Sequence, residues 1–165
     1  MPDRITYDPN TPGIFQNDDW SCSVTSLRWA MTALGRNPAE GWMEGTALVE
    51  RVVRMADGLQ DATGAGLAAF VRRHYAEFGY DANNEPSISF DDARFEGDHA
   101  YPILIGGRAW NHWCAVRAYD GANGVLLLAN PADGHKGVFQ TMSKAQFDTL
   151  GSFSMVRVFH PDLLS

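Results

Sequence analysis

Gln16-Asn17-Asp18-Asp19-Trp20-Ser21-Cys22-Ser23-Val24-Thr25-Ser26-Leu27 is the stretch on which the fold turns. Val24, Leu27, Met31 and Leu34 recur at helical spacing and predict an amphipathic helix over residues 21–35, stopped by Gly35. Cys22 falls in the first turn of that helix. Unpaired backbone N–H groups and the positive end of the helix dipole favour a thiolate there. A packing cysteine would more often share the stripe of Val24 and Leu27. By position alone, Cys22 reads equally as a nucleophile or as a helix-start packing residue.

Gln16 lies six residues before Cys22. A side-chain amide at that distance can fold back and donate a hydrogen bond beside the Cys22 backbone N–H. Two such donors make an oxyanion hole, each worth about 3–4 kcal/mol to a tetrahedral intermediate. A solvent-exposed loop glutamine would look the same in sequence. Asp18 and Asp19 could favour a basic substrate group or simply cap the helix.

Further along, Leu48, Val52 and Met55 predict a second helix ending near Gly58. Leu67, Phe70, Val71, Tyr75 and Phe78 predict a third, opened by Asp61 or Thr63 and closed by Gly79. Near residues 81–86 the pattern changes to strands. Ile88 and Phe90 alternate with polar neighbours, and Ile103-Leu104-Ile105 is a short apolar run between Pro102 and Gly106-Gly107. Residues 110–119 and 125–129 flank a glycine-bearing turn and read as a β-hairpin. Ser143 is placed to cap a short helix through Leu150, and residues 153–159 read as a last strand. Helices first and antiparallel strands later give an α+β fold class. The expected organisation is one domain over residues 1–165, with a helical part at about 14–80 and a sheet part at about 86–160.

In the strand half, His112 opens an apolar strand just after Gly106-Gly107. From there a histidine can act as base toward a thiol and then as acid toward a leaving group, although one beside two tryptophans is more often structural. His74 falls within a predicted helix, His99 and His135 in predicted loops, and His160 beside a proline near the end. Asn130 ends the second hairpin strand, 18 residues after His112. Its amide oxygen can accept from the imidazole and fix the tautomer, though Asn-Pro is also an ordinary turn. Asp133 is the alternative orienter.

The ordered set of Gln16, Cys22, an apolar-flanked His112 and Asn130-Pro131 resembles the bacterial C39-like cysteine peptidases of the papain-like superfamily. The resemblance also takes in residues 87–92, 101–107 and 130–134. It implies an N-terminal helical subdomain with a catalytic helix, then an antiparallel β-sheet subdomain carrying the histidine, with a cleft between them. It also implies Gln16 as oxyanion donor, Cys22 as nucleophile, His112 as base and Asn130 as orienter. The implied activity is cleavage of a peptide or related amide through a thioester acyl-enzyme, with no cofactor or metal. The sequence departs from the family at Ser23, where glycine is usual, and at Asn130, where aspartate is usual. The competing readings are a catalytically silent binding domain and a thiol acyltransferase of transglutaminase-like type.

Among the other residues, Trp20, Trp110 and Trp113 flank the candidate site in sequence and could line a substrate cleft or belong to the core. Cys114 shares a strand face with His112 and reads as a small core residue. Two cysteines make neither a disulfide framework nor the paired spacing of a structural zinc site. The net charge of −7 argues against nucleic acid and anionic membrane as partners, and leaves a peptide or protein substrate. No stretch approaches the roughly 18 apolar residues of a membrane span. The first residues lack a signal-peptide layout, so the expected location is cytoplasmic.

Overall fold

The computed structural model describes residues 6–14, 22–36, 64–99, 101–107, 110, 112–131, 140–151 and 153–164. The predicted helix near residues 48–58, its neighbours Asp61 and Thr63, and Gln16, Asp18, Asp19, Trp20, Asp133 and His135 lie outside them.

Among the described residues a single antiparallel sheet organises the chain. Its strands are β1 (Asp81–Ile88), β2 (Ile103–Gly107), β3 (His112–Asp120), β4 (Val125–Ala129), β5 (Gln140–Ser143) and β6 (Phe153–Phe159). Their spatial order is β1-β6-β2-β3-β4-β5. Helices α1 (Cys22–Ala33) and α2 (Gly64–His74) cover one face. Helices α3 (Phe90–Asp98) and α4 (Lys144–Leu150) cover the other.

Strand alternation divides the core accordingly. Leu104, Ala115, Ala129, Val156 and Val158 meet Leu27, Trp29 and Met31 of α1, Leu34 just after it, and Leu67, Phe70 and Val71 of α2. Ile103, Ile105, Cys114, Val116, Leu126 and Leu128 meet Phe90 of α3 and Phe147 of α4. The predicted hairpin, the Ser143-capped helix and the final strand all form as expected.

Three elements differ from the sequence reading. The sheet begins at Asp81 rather than near residue 86, because β1 is a polar edge strand in which only Ala82 is fully buried. Its ladder is interrupted between Glu85 and Ile88, where Pro86 offers no N–H. Phe90 opens a helix rather than extending a strand. Ser89 Oγ accepts from the Asp92 N–H at 3.2 Å, and the Asp92 carboxylate accepts from the Ser89 N–H at 2.8 Å, a reciprocal cap that stops the strand. The third apolar stripe is α2 followed by a separate 3-10 turn, Ala76–Phe78, closed by Gly79 at φ +92°.

One irregularity inside β3 matters for everything near its start. Asp120, Tyr119 and Ala118 face Val125, Leu126 and Leu127, but Val116 and Ala115 face Leu128 and Ala129, so the register skips Arg117. This is a β-bulge. The N-terminal segment holds it: the Tyr7 hydroxyl donates to the Arg117 carbonyl at 2.8 Å, and Arg117 Nη1 donates to the Pro9 carbonyl at 3.2 Å. That segment is tied in turn to α1, since Trp29 Nε1 donates to the Thr11 carbonyl at 3.0 Å. At the far end of the hairpin, the Asp120 carboxylate accepts from Asn123 Nδ2 at 2.7 Å, and Gly124 turns the chain at φ +67°.

Tyr7→Phe removes the donor from the bulge carbonyl and should lower stability by about 1 kcal/mol. An unchanged urea midpoint would show that the hydroxyl does not hold the bulge. A second expectation concerns Cys114, whose thiol is pushed well above its ordinary value by complete burial and, to a lesser degree, by the charge of Cys22. A raised folded-state pKa means that stability is full below about pH 8.5 and falls as pH rises, since only the unfolded thiol ionises. Between pH 8.5 and 10 the decline should reach up to about 1.4 kcal/mol per unit. Urea melts of Cys114→Ala across that window should lack this slope.

Candidate active site

Cys22 is the first residue of α1 and is half-buried. Its backbone N–H belongs to the first turn, which has no acceptor within the helix. Helix α1 packs on β3 and β2. Cys22 thus begins the helix that packs on the strand whose first residue is His112.

Asn130 directly follows β4 and lies on the His112 face. Continuing the β3–β4 register one step past Ala115–Ala129 sets Asn130 opposite Cys114, and so diagonal to His112. The side chains meet: His112 Nε2 and Asn130 Oδ1 are 2.7 Å apart. The orientation of the Asn130 amide is fixed from its other end, where Nδ2 donates to Gln140 Oε1 at 2.5 Å. An amide oxygen is only an acceptor, so Nε2 carries the imidazole proton and Nδ1 keeps the basic lone pair.

Trp110 stands edge-on to the His112 ring, with centroids 4.9 Å apart at 85°, and also packs edge-on against Phe153 at 5.5 Å. It therefore buttresses the imidazole from the second core. Trp113 points to the opposite face, packs against the first core, and lies across Gly106, where a Cβ would strike its ring. Glycine at 106 is the condition for that close approach. Both tryptophans are half-buried, so each joins a core and keeps an exposed part near the candidate site.

His160 and His99 serve elsewhere. His160 is buried, receives the Asp162 N–H on Nδ1 at 3.1 Å, and so donates from Nε2 to the Phe78 carbonyl at 3.0 Å. Exposed His99 bonds the Phe95 carbonyl through Nδ1 at 2.7 Å. Cys114 is buried among Phe90, Ile103 and Met155. Gln140 is the residue that sequence reasoning missed. It opens a four-residue edge strand with no apolar alternation, and only the register places it beside Asn130.

No family profile matches the chain, and no curated protein matches it in sequence. Solved structures do share its fold. The peptidase domain of Streptococcus ComA, a bi-functional ABC transporter involved in a quorum-sensing pathway, is 16% identical. The match covers 89% of this chain and 98% of that one, with a TM-score of 0.60. A protein from Bacillus anthracis assigned as a C39-like peptidase is 12% identical. That match covers 96% of this chain and 99% of the other, with a TM-score of 0.59. The chain has the α+β fold of C39 peptidase domains. Among the described residues no helix is long and apolar enough to cross a membrane.

If Gln140 holds the Asn130 amide, Gln140→Ala should let that amide rotate and lower the fraction of His112 in the Nε2–H tautomer. Nitrogen-detected NMR of the imidazole reads this directly. Gln140→Glu, which keeps the acceptor, should preserve it. A tautomer ratio unchanged in Gln140→Ala would show that Asn130 needs no such support.

Proposed function

We propose that this chain is a cysteine-dependent hydrolase that cleaves a peptide or related amide bond through a thioester acyl-enzyme. The 2.7 Å contact between His112 Nε2 and Asn130 Oδ1 carries the reading. It orients the imidazole at the start of β3, the strand on which the Cys22 helix packs. The fold shared with C39 peptidase domains supports the same conclusion at the level of architecture.

In this reading His112 Nδ1 takes the thiol proton, and the Cys22 sulfur attacks the carbonyl carbon. An S–C bond forms, and the oxyanion rests on the Cys22 N–H and the Gln16 side chain. The C–N bond then breaks as the imidazolium gives its proton to the departing amine. Water enters, loses a proton to His112 and attacks the thioester. Breakage of the S–C bond releases the acid, and the imidazolium returns its proton to sulfur. Asn130 acts by holding the tautomer through all four proton movements. The substrate is a peptide or protein, with Trp20, Trp110 and Trp113 along the cleft. Each step uses protein groups and water alone.

Cys22→Ala should abolish hydrolysis of a casein-derived peptide mixture, and Asn130→Ala should lower it by about 10–100-fold. Iodoacetamide at pH 6 should label Cys22 much faster than Cys114, which burial keeps protonated and shielded. Full activity in Cys22→Ala would sink the assignment. Equal and slow labelling of both thiols would favour a silent binding domain.

A further inference from the structure

A pocket of about 450 Å³ opens on the second face of the sheet, beside the histidine. Its floor is Leu128 and Met142, both buried, and its walls are Trp110, Ala145, Leu150 and Gln140. The volume is within the usual range for ligand pockets. None of the described residues lining it is charged. Two of its polar groups are already engaged: Gln146 Oε1 accepts from the Ser143 N–H at 2.9 Å, and the Thr149 hydroxyl donates to the Ala145 carbonyl at 2.7 Å. Lys144 and Asp148, the charged residues of α4, pair with each other at 2.6 Å and take no part in the lining. The pocket thus offers apolar contact and little unmet hydrogen bonding.

Two of its walls touch the candidate site. Trp110 stands against the imidazole of His112, and Gln140 accepts from Asn130. The nucleophile is on the other side: Cys22 belongs to α1, which packs on the first face. When the C–N bond breaks, the acyl part stays on Cys22. The leaving amine receives its proton from His112 and so lies on the imidazole side.

We propose that the Trp110–Met142–Leu150 pocket is the subsite for an apolar side chain of the residue immediately after the cleaved bond. This assignment rests on the hydrolase reading above. It makes the second face of the sheet the selector of the leaving group, while the first face holds the acyl part. A charged side chain at that position would give up hydration without meeting an opposite charge among the described lining residues.

The test compares the wild-type chain with Ala145→Phe and Thr149→Phe. Both positions are exposed on α4 and line the pocket, so the new ring fills it without removing core side chains. A peptide library is digested and cleavage sites are read by mass spectrometry. Wild-type sites should carry Leu, Ile, Met or Phe after the cleaved bond on the order of tenfold more often than Gly, Lys or Asp. Both filled variants should lose that preference while still cleaving peptides with Gly there. Absence of the preference in an active wild type, or its survival in both variants, overturns the proposal. A binding arm separates this from failure of the hydrolase reading. Cys22→Ser protein is titrated with leucine amide, glycine amide and lysine amide, with the Ala145 and Met142 methyl resonances as readout. Shifts with leucine amide alone, lost in Ala145→Phe as read at Met142, support the subsite even if no peptide is cleaved. No shift with leucine amide overturns it.

Discussion

A single extra residue in β3 decides whether His112 and Asn130 can meet. In an antiparallel pair, residues directly opposite each other point to the same face, and a one-residue slip moves a side chain to the other face. With the register of Asp120–Val125 carried on unbroken, Asn130 would lie opposite Ala115 and point toward α1. The bulge at Arg117 shifts the count, so Asn130 lies opposite Cys114 and shares the face of His112. The hydrogen bond on which the functional reading rests is therefore a consequence of the bulge. The bulge is held by Tyr7 and by contacts of Arg117 to the N-terminal segment, more than one hundred residues away in sequence.

The second requirement is that α1 keep its place. Leu27, Trp29, Met31 and Leu34 are all but fully buried. At about 1.5–3 kcal/mol for each side chain, this burial is of the same order as the whole net stability of a domain. The sheet side of the contact includes Ala115 and Ala129, whose small side chains let the helix approach closely. A thiol at the first residue of a helix anchored in this way takes its position from that core. That matters because a misplacement of about 1 Å between reacting groups can cost on the order of a hundredfold in rate.

This division explains what the sequence makes legible. The helix from Cys22, the hairpin and the last strand carry strong periodicity or unambiguous turn residues, and they form where expected. The start of strand β1 is placed late because an edge strand buries little and needs few apolar residues. Helix α3 escapes because Phe90 fits a strand pattern, and only the Ser89–Asp92 cap turns the chain. At the candidate site, Cys22, His112 and Asn130 are legible through residue type and order. Gln140 and the Arg117 bulge are not, since both depend on register, which local sequence does not encode. Gln16 and Trp20 lie outside the described residues and stay expectations from sequence.

The register also gives a physical reason for asparagine at position 130, where the C39-like peptidases that the sequence resembles usually have aspartate. Asn130 both accepts from His112 and donates to Gln140. A carboxylate could do only the first, and Gln140 would have to present its amide N–H instead. The charge differs as well. A carboxylate in this half-buried place would stand against the imidazole and favour its protonated form. The amide fixes the same ring orientation without adding a charge, so Asn130 acts through geometry alone. That geometry depends on Gln140, because the amide can present Oδ1 to His112 only while its Nδ2 is held on the other side.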